Sequence, residues 1–369
     1  VIVYVQTCAA EKRRRRKRGQ FPDPDKRVFI NTDICEGCGD CGVQSNCVSI
    51  VPVETELGRK RAIDQSSCNK DFSCVKGFCP SFVTVEGAQI RKEATAEVTL
   101  PDLPDPDLPV INGTHNVVIT GVGGTGVVTI GAVLAMAAHI DGKGAGMMEM
   151  AGLAQKGGAV HIHCRIGEKP SDINAIRVAT GECDALIGGD LVVSAGAKTL
   201  GLMRSGRTKG VVNSHEIITG DFTRDTEFRL PSEALKVSLE ARLAGHLALF
   251  DASDLAKALL GDSIYSNMMV FGAAWQMGAI PVSYEAILHA IELNGAAVNR
   301  NIRAFELGRW AYLHPQDAAA LLTPNVVSLP KTLDDKIAFR EAHLTDYQGK
   351  RLAKRYRKLV DQFSDEPLR

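Results

Sequence analysis

The chain has 369 residues, with 43 Lys plus Arg against 43 Asp plus Glu, so its formal net charge is zero and nothing global argues for a nucleic-acid partner. Hydrophobic residues reach 45%, enough for two or three globular domains, while aromatics are sparse at 5%. No apolar run reaches the ~18–20 residues that span a bilayer, so no membrane partner is expected. Ten cysteines in metal-type spacing, without a secretory leader, point to a reducing cytoplasm.

Residues 1–27 start without methionine in a β-like run, Val1-Ile2-Val3-Tyr4-Val5, expected to be an internal strand of a longer polypeptide. Lys12 to Arg18 is an unbroken run of seven basic residues, read as a solvated connector or as a docking surface for an acidic domain or phosphates. Cys8 has no second thiol nearby in sequence and is expected to be buried and inert.

Residues 28–95 hold seven of the ten cysteines, in CEGCGDCGVQSNC and CNKDFSCVKGFCP. Cys35, Cys38 and Cys41 stand at steps of three, a turn that wraps three thiolates around one face of a cubane cluster. Cys68, Asp71 and Cys74 stand at the same steps, thirty-three residues later. The flanks repeat too: Val28-Phe29-Ile30-Asn31 precedes Cys35 much as Arg61-Ala62-Ile63-Asp64 precedes Cys68. Such a half-repeat is what a two-cluster ferredoxin requires, with the later cysteine of each run crossing to the other cluster. One [4Fe-4S] cluster then takes Cys35, Cys38, Cys41 and Cys79. The other takes Cys47, Cys68, Cys74 and Asp71, whose carboxylate oxygen can bind iron. Without Asp71 the second cluster is three-iron or has a labile fourth iron. A structural zinc site uses four ligands and leaves three cysteines over. Disulfides need an oxidising compartment, and a redox switch rarely needs so many thiols. Strands are expected within 48–63, turning around Gly58, and at 82–85. The segment has few large apolar residues, so metal ligation is expected to supply much of its folding free energy.

Residues 96–114 form a Pro/Asp-rich linker, extended and semi-rigid. In 115–315 a buried-type strand at 116–120 runs into Gly121-Val122-Gly123-Gly124-Thr125-Gly126 and an apolar helix from 127 to about 139. That is G-x-G-x-x-G in strand–turn–helix context, able to cradle a phosphate or simply to pack strand on helix tightly. The acidic residue a dinucleotide site wants is matched only loosely, by Glu149. Further strands are expected at 159–165, 185–187 and 210–213, and helices at 191–202, 254–260, 268–277 and 284–293. The alternation predicts a doubly wound, Rossmann-like α/β domain with a parallel sheet, following the α+β cluster module. His161 and His163 share a strand face and are read as packing or hydrogen-bonding residues rather than metal ligands. Cys164, Cys183 and the methionines are read as core. Residues 316–369 turn polar and helical, with 343–363 expected as one basic amphipathic helix opening a further helical domain.

With both domains placed, the chain resembles 2-oxoacid:ferredoxin oxidoreductases. The gamma domain of that family is matched by GVGGTGVVTIGAVLAMAA, Lys156-Gly157-Gly158, GVVNSHE, Asn299, Asn301 and AFELGRW. The combination with QTCAAEKRRRRKRG, the two cysteine runs and MAGLAQKGGAV is similar to fused, single-chain indolepyruvate ferredoxin oxidoreductases. The resemblance implies that an aryl-pyruvate is decarboxylated on thiamine diphosphate with magnesium, in domains preceding residue 1. The acyl group passes to coenzyme A, and two electrons leave singly through the clusters to ferredoxin. It also implies residues 1–10 as the last strand of a thiamine domain, the thiamine domains as partners, and a homo-oligomer. No thiamine-diphosphate motif occurs here. Spacings of five after Cys41 and four after Cys74 depart from the bacterial ferredoxin pattern. The alternatives are a non-catalytic ferredoxin-type carrier fused to a nucleotide-binding domain, and an NAD(P)-linked reductase supported only by the glycine signature and Glu149.

Overall fold

The computed structural model describes residues 3, 5, 7–55, 57–65, 67–88, 98–123, 126–151, 158–217, 225, 228–322 and 332–363. Contacts divide the chain into one unit over 1–322 and another over 323–369. The expected strand at 1–5 and the linker start at 96–97 lie outside the described residues, wholly or in part.

The basic run is helical. In α1 (Ala9–Lys17) Glu11 meets Arg14 at 3.2 Å and Arg15 at 3.0 Å, at i+3 and i+4. Lys12 and Arg16 cover the ring of Phe21, and Arg16 Nη1 donates to the Asn69 carbonyl at 2.6 Å. The run read as a connector or docking surface is thus a helix, held by long-range contacts that the local sequence does not reveal. Cys8, just before it, is exposed, contrary to the expected burial.

The small module follows as β1 (Lys26–Ile30), α2 (Asp40–Ser45), β2 (Ile50–Thr55), β3 (Gly58–Ile63), a 3-10 turn at Ser73–Val75 and β4 (Phe82–Glu86). Strand β1 pairs antiparallel with β4, and β2 pairs with β3 across the Gly58 turn. The two halves repeat bond by bond. Asn31 N donates to Ser81 O at 2.7 Å, and Asp64 N to Ser49 O at 2.8 Å. Cys35 N donates to Asn31 O at 3.0 Å, and Cys68 N to Asp64 O at 3.1 Å. Between 28 and 88, Val28, Ile30, Cys35 and Ile50 are the buried hydrophobics among the described residues. That is a thin core for a module of this length.

The Pro/Asp linker is docked rather than free-standing. Arg309 Nη2 donates to the carbonyls of Leu103 and Pro104 at 3.2 and 3.3 Å and pairs with Asp105 at 2.9 Å. Gln276 Nε2 donates to Pro104 O at 2.8 Å, and Arg303 donates to Val98 O.

The larger domain is a mixed α/β structure around six strands in the order β10-β9-β8-β5-β7-β6. It is built from β5 (Thr114–Val122), α3 (Val127–Ile140), β6 (Gly144–Ala151), β7 (Ala159–Gly167), β8 (Ala185–Gly188), α4 (Leu191–Ser194), α5 (Ala197–Leu202) and β9 (Lys209–Asn213). Helix α6 (Ser232–Leu243), β10 (Leu247–Phe250), α7 (Ala252–Leu260), α8 (Ser266–Gln276), α9 (Tyr284–Asn294), α10 (Val298–Leu313) and α11 (Pro315–Leu321) complete it. Strands β10, β9, β8 and β5 run parallel, while β7 is antiparallel to both β5 and β6. The sheet is therefore mostly parallel, not wholly so as expected. The crossover β5–α3–β6 leaves one strand's width open, and β7 returns through it.

Strand β5 is buried on both faces, as a continuous β-branched run in a central strand should be. Val117 and Ile119 belong to the core that includes residues of α3, α7, α8, α9 and α10, while Val118 belongs to a second core with residues of α4 and α6. Helices α8 and α10 approach closely through Gly272 and Gly308, where a Cβ would come within 2.0 Å of the carbonyl oxygens of Phe305 and Met269 respectively. The helix expected at 191–202 breaks into α4 and α5 because the chain turns extended at Gly196.

In the C-terminal unit, α12 (Leu333–Gln348) and α13 (Lys350–Val360) bury Ile337, Ala353 and Val360. The single helix expected at 343–363 is broken at Gly349, whose φ of 102° no helix accepts. No helix among the described residues is long and apolar enough to cross a membrane.

Candidate functional site

The cysteine loops rise from the strand ends of the small module. Residues after β1 carry Cys35 and Cys38, α2 carries Cys41, and the chain after α2 carries Cys47. None of the ten cysteines, all of them among the described residues, is joined in a disulfide. Backbone N–H groups already point at two of the sulfurs: Gly37 N to Cys35 Sγ and Lys70 N to Cys68 Sγ, both at 3.4 Å. Such N–H···S bonds favour the thiolate, the form in which cysteine binds metal.

Cys35, Cys38, Cys41, Cys74 and Cys79 line one cavity of about 640 Å³. The Cys41 thiol is pushed up to about 11 by burial, with Cys35 and Cys38 adding to the rise and Arg61 opposing it. Around Cys74 the rise, also to about 11, comes from burial first and then from Cys47, Cys68 and Asp71. Seven thiols thus gather into two neighbourhoods, one around Cys41 and one around Cys74. Burial disfavours the thiolates of Cys41 and Cys74 in particular, and a cation bound beside them would favour that form. The residues present therefore fit a thiolate-ligated cluster in chemistry and number. Asp71 is exposed, and its Oδ1 accepts from Ser73 N at 3.0 Å and Ser73 Oγ at 2.8 Å. Cys79 Sγ lies 3.0 Å from Ser81 Oγ.

In the larger domain Gly121 ends in β5 and Gly123 N donates to Gly158 O at 2.7 Å. Gly126 has φ 87°, and a Cβ there would meet Asn267 Nδ2 at 2.3 Å. Asn267 Nδ2 donates to Gly126 O at 3.2 Å. Gly126 is thus explained by close packing against α8. Gly124, Lys156 and Gly157 lie outside the described residues. Glu149 is on β6, two strands from β5 and exposed. It is not at the end of a parallel neighbour of β5, where a ribose-binding carboxylate belongs.

His161 Nε2 lies 3.2 Å from Thr199 Oγ1, and His163 Nδ1 accepts from Val178 N at 2.9 Å. Both rings are buried and serve hydrogen bonding. Cys164 and Cys183 are buried, and burial pushes the Cys164 thiol up to about 12. The sequence reading missed His215, whose Nδ1 lies 3.1 Å from Asp251 and 3.7 Å from Asp254 at the start of α7. Lys257 pairs with Asp254 at 2.9 Å. It also missed Arg61, buried in β3 at the cavity wall; the only signal was a basic residue inside an expected strand.

The fold and the site together define an α/β domain carrying a cysteine-rich module. The sequence model of the family described as pyruvate ferredoxin/flavodoxin oxidoreductase matches residues 116–311, just over half of the chain. The chain belongs to this family. Similar proteins include the indolepyruvate oxidoreductase subunit IorB of Thermococcus kodakarensis and that of Pyrococcus horikoshii. Each is 29% identical over 198 residues, covering 53% of this chain and 94% of the relative. The corresponding subunit of Archaeoglobus fulgidus is 27% identical over 195 residues, covering 52% and 92%. Among solved structures, the gamma subunit of a keto/oxoacid ferredoxin oxidoreductase from Geobacter sulfurreducens aligns with a TM-score of 0.39 at 25% identity, covering 54% of this chain and 98% of that one.

Proposed function

We propose that this chain is the electron-exit and gamma segment of a fused 2-oxoacid:ferredoxin oxidoreductase acting on indolepyruvate or another aryl-pyruvate. In the overall reaction the 2-oxoacid and coenzyme A give acyl-CoA, carbon dioxide, one proton and two electrons. Thiamine diphosphate and magnesium would be held by domains outside this chain. Ferredoxin would accept the electrons, and the setting would be cytoplasmic. The observation that carries the reading is the gathering of Cys35, Cys38, Cys41, Cys74 and Cys79 around one cavity, in the same compact unit as a domain of this family.

Two [4Fe-4S] clusters bound there would take up and release electrons one at a time. The protein's part is to hold the ligands. Cys35, Cys38, Cys41 and Cys79 would bind one cluster, and Cys47, Cys68, Cys74 and Asp71 the other. The amides of Gly37 and Lys70 would lower the charge on the thiolates. The gamma domain supports the thiamine domains, and its glycine turn serves packing, because Asn267 fills the space beside Gly126.

The test is made on the complete enzyme. Cys41→Ser should abolish ferredoxin reduction by an aryl-pyruvate with coenzyme A, yet leave release of carbon dioxide in a single turnover. Undiminished ferredoxin reduction after loss of iron from the variant would refute the reading.

A further inference from the structure

The two halves of the small module match closely, so the places where they differ chemically stand out. One difference is Cys38 against Asp71. The other lies in the strands that precede the cysteine loops: the thirty-three-residue offset puts Arg61 of β3 at the position of Val28 in β1. Both are buried, Val28 at 4% exposure and Arg61 at 2%. One half therefore carries an aliphatic side chain where the other carries a permanent cation.

A buried guanidinium costs several kcal/mol of desolvation unless negative charge answers it. Arg61 is part of the wall of the cavity lined by Cys35, Cys38, Cys41, Cys74 and Cys79, so four of the five thiols it shares that cavity with would belong to the Cys41 site. Its Nη1 donates to the Lys60 carbonyl at 3.2 Å. As ligands, Asp71 and its counterpart Cys38 would each bring one negative charge, so the difference in fixed charge between the sites lies at Arg61 and makes the Cys41 side the more positive. Reduction adds one electron and no proton to a site. It is favoured where positive charge is fixed nearby and disfavoured where negative charge is added, most strongly away from water.

Resting on the two-cluster reading, we infer that Arg61 sets the order of reduction potentials, raising that of the Cys35/Cys38/Cys41/Cys79 site above that of the Asp71-containing site. One electron shared by the pair then collects on the Arg61 side. The transfer makes and breaks no bond: the Asp71 site is oxidised by one electron and the other is reduced by one. Arg61 acts as a tuning residue and need not touch the metal.

The experiment is an EPR-monitored potentiometric titration of the full chain, reconstituted anaerobically, as wild type, Arg61→Met, Arg61→Lys and Asp71→Cys. In the wild type two steps are expected, and Asp71→Cys should alter the signal of the lower-potential one. Arg61→Met should shift the higher step down by at least tenfold in the reduced-to-oxidised ratio, about 59 mV for a one-electron couple. Arg61→Lys should retain most of the wild-type value. Coincident steps, an Asp71→Cys change in the higher step, or an Arg61→Met shift of both steps equally would overturn the inference. The wild-type order decides the matter even if Arg61→Met fails to assemble. Iron far below about eight per wild-type chain would instead overturn the two-cluster reading, and the inference with it.

Discussion

Gly37 and Lys70 occupy the same place in the two halves of the small module. Both have positive φ, 77° and 52°, and each donates its backbone N–H to the sulfur two residues earlier, Cys35 or Cys68, at 3.4 Å. Gly39 and Phe72, two residues on, repeat the match with φ of 82° and 58°. Left-handed backbone at a non-glycine residue costs ~1–2 kcal/mol. The second loop bears that cost twice to keep the shape of the first.

Gly37 cannot be replaced as Lys70 shows its counterpart can. A Cβ at Gly37 would lie 2.3 Å from the Arg59 carbonyl oxygen, a backbone atom with little room to yield. Gly37→Ala should therefore displace Cys35 and Cys38 and cost one cluster, leaving about half the iron. Iron analysis of the purified variant checks this; full iron would show that the loop tolerates the contact.

Helices α8 and α10 make the reverse of the usual helix-propensity argument. Gly→Ala inside a helix ordinarily gains ~1 kcal/mol. At Gly272 the added Cβ would lie 2.0 Å from Phe305 O, and at Gly308 it would lie 2.0 Å from Met269 O. Overpacking costs ~1–3 kcal/mol or more, so both substitutions should destabilise the protein. Urea denaturation with an unchanged m-value would measure the loss.

The linker's attachment should be strongly lopsided. Arg309 is buried, lies 4.7 Å from the Trp275 ring centroid and 4.9 Å from that of Tyr284, and reaches Leu103, Pro104 and Asp105. Arg309→Ala should cost ~3–5 kcal/mol, because buried Gln276 Oε1 and the largely buried Glu306 carboxylate lose their partner. Asp105→Ala should cost under ~1 kcal/mol, because that carboxylate is 66% exposed. Limited proteolysis between residues 98 and 110 should accelerate in the arginine variant alone.

Two buried groups give opposite pH dependences. Burial, with His161 next to it, pushes His163 down to about 4 from 6.5, so between these values the unfolded chain binds the extra proton. Stability contributed by His163 therefore rises with pH across that window, by roughly 3 kcal/mol. Burial pushes Asp190 up to about 6 from 3.8, so there the folded chain binds the extra proton and stability falls as pH rises. Asp190 also caps α4 by accepting from Val193 N at 2.8 Å, a role asparagine can keep. Unfolding free energy measured from pH 4 to 6.5 should gain a more negative slope in His163→Gln and a more positive one in Asp190→Asn. Parallel slopes in both variants and wild type would contradict the assignment.

Much of the fold could be read in advance because it is local. The thirty-three-residue offset is visible in Cys35, Cys38 and Cys41 against Cys68, Asp71 and Cys74, and β5 announces itself as an apolar, β-branched run before a glycine turn. What escaped depends on distant partners. GAGMMEMA has little intrinsic strand preference and becomes β6 by pairing with β7. The linker looks free in sequence because the side chains that hold it, Gln276 and Arg309, come some two hundred residues later on α8 and α10. Arg61 looked like one more basic residue until the β3 pairing turned it inward.

The measurement that bears most directly on the central claim is iron and acid-labile sulfide analysis with EPR on the anaerobically reconstituted full chain. About eight irons and two magnetically interacting reduced [4Fe-4S] clusters are predicted. Bound zinc, or a chain that takes up no iron, would contradict it.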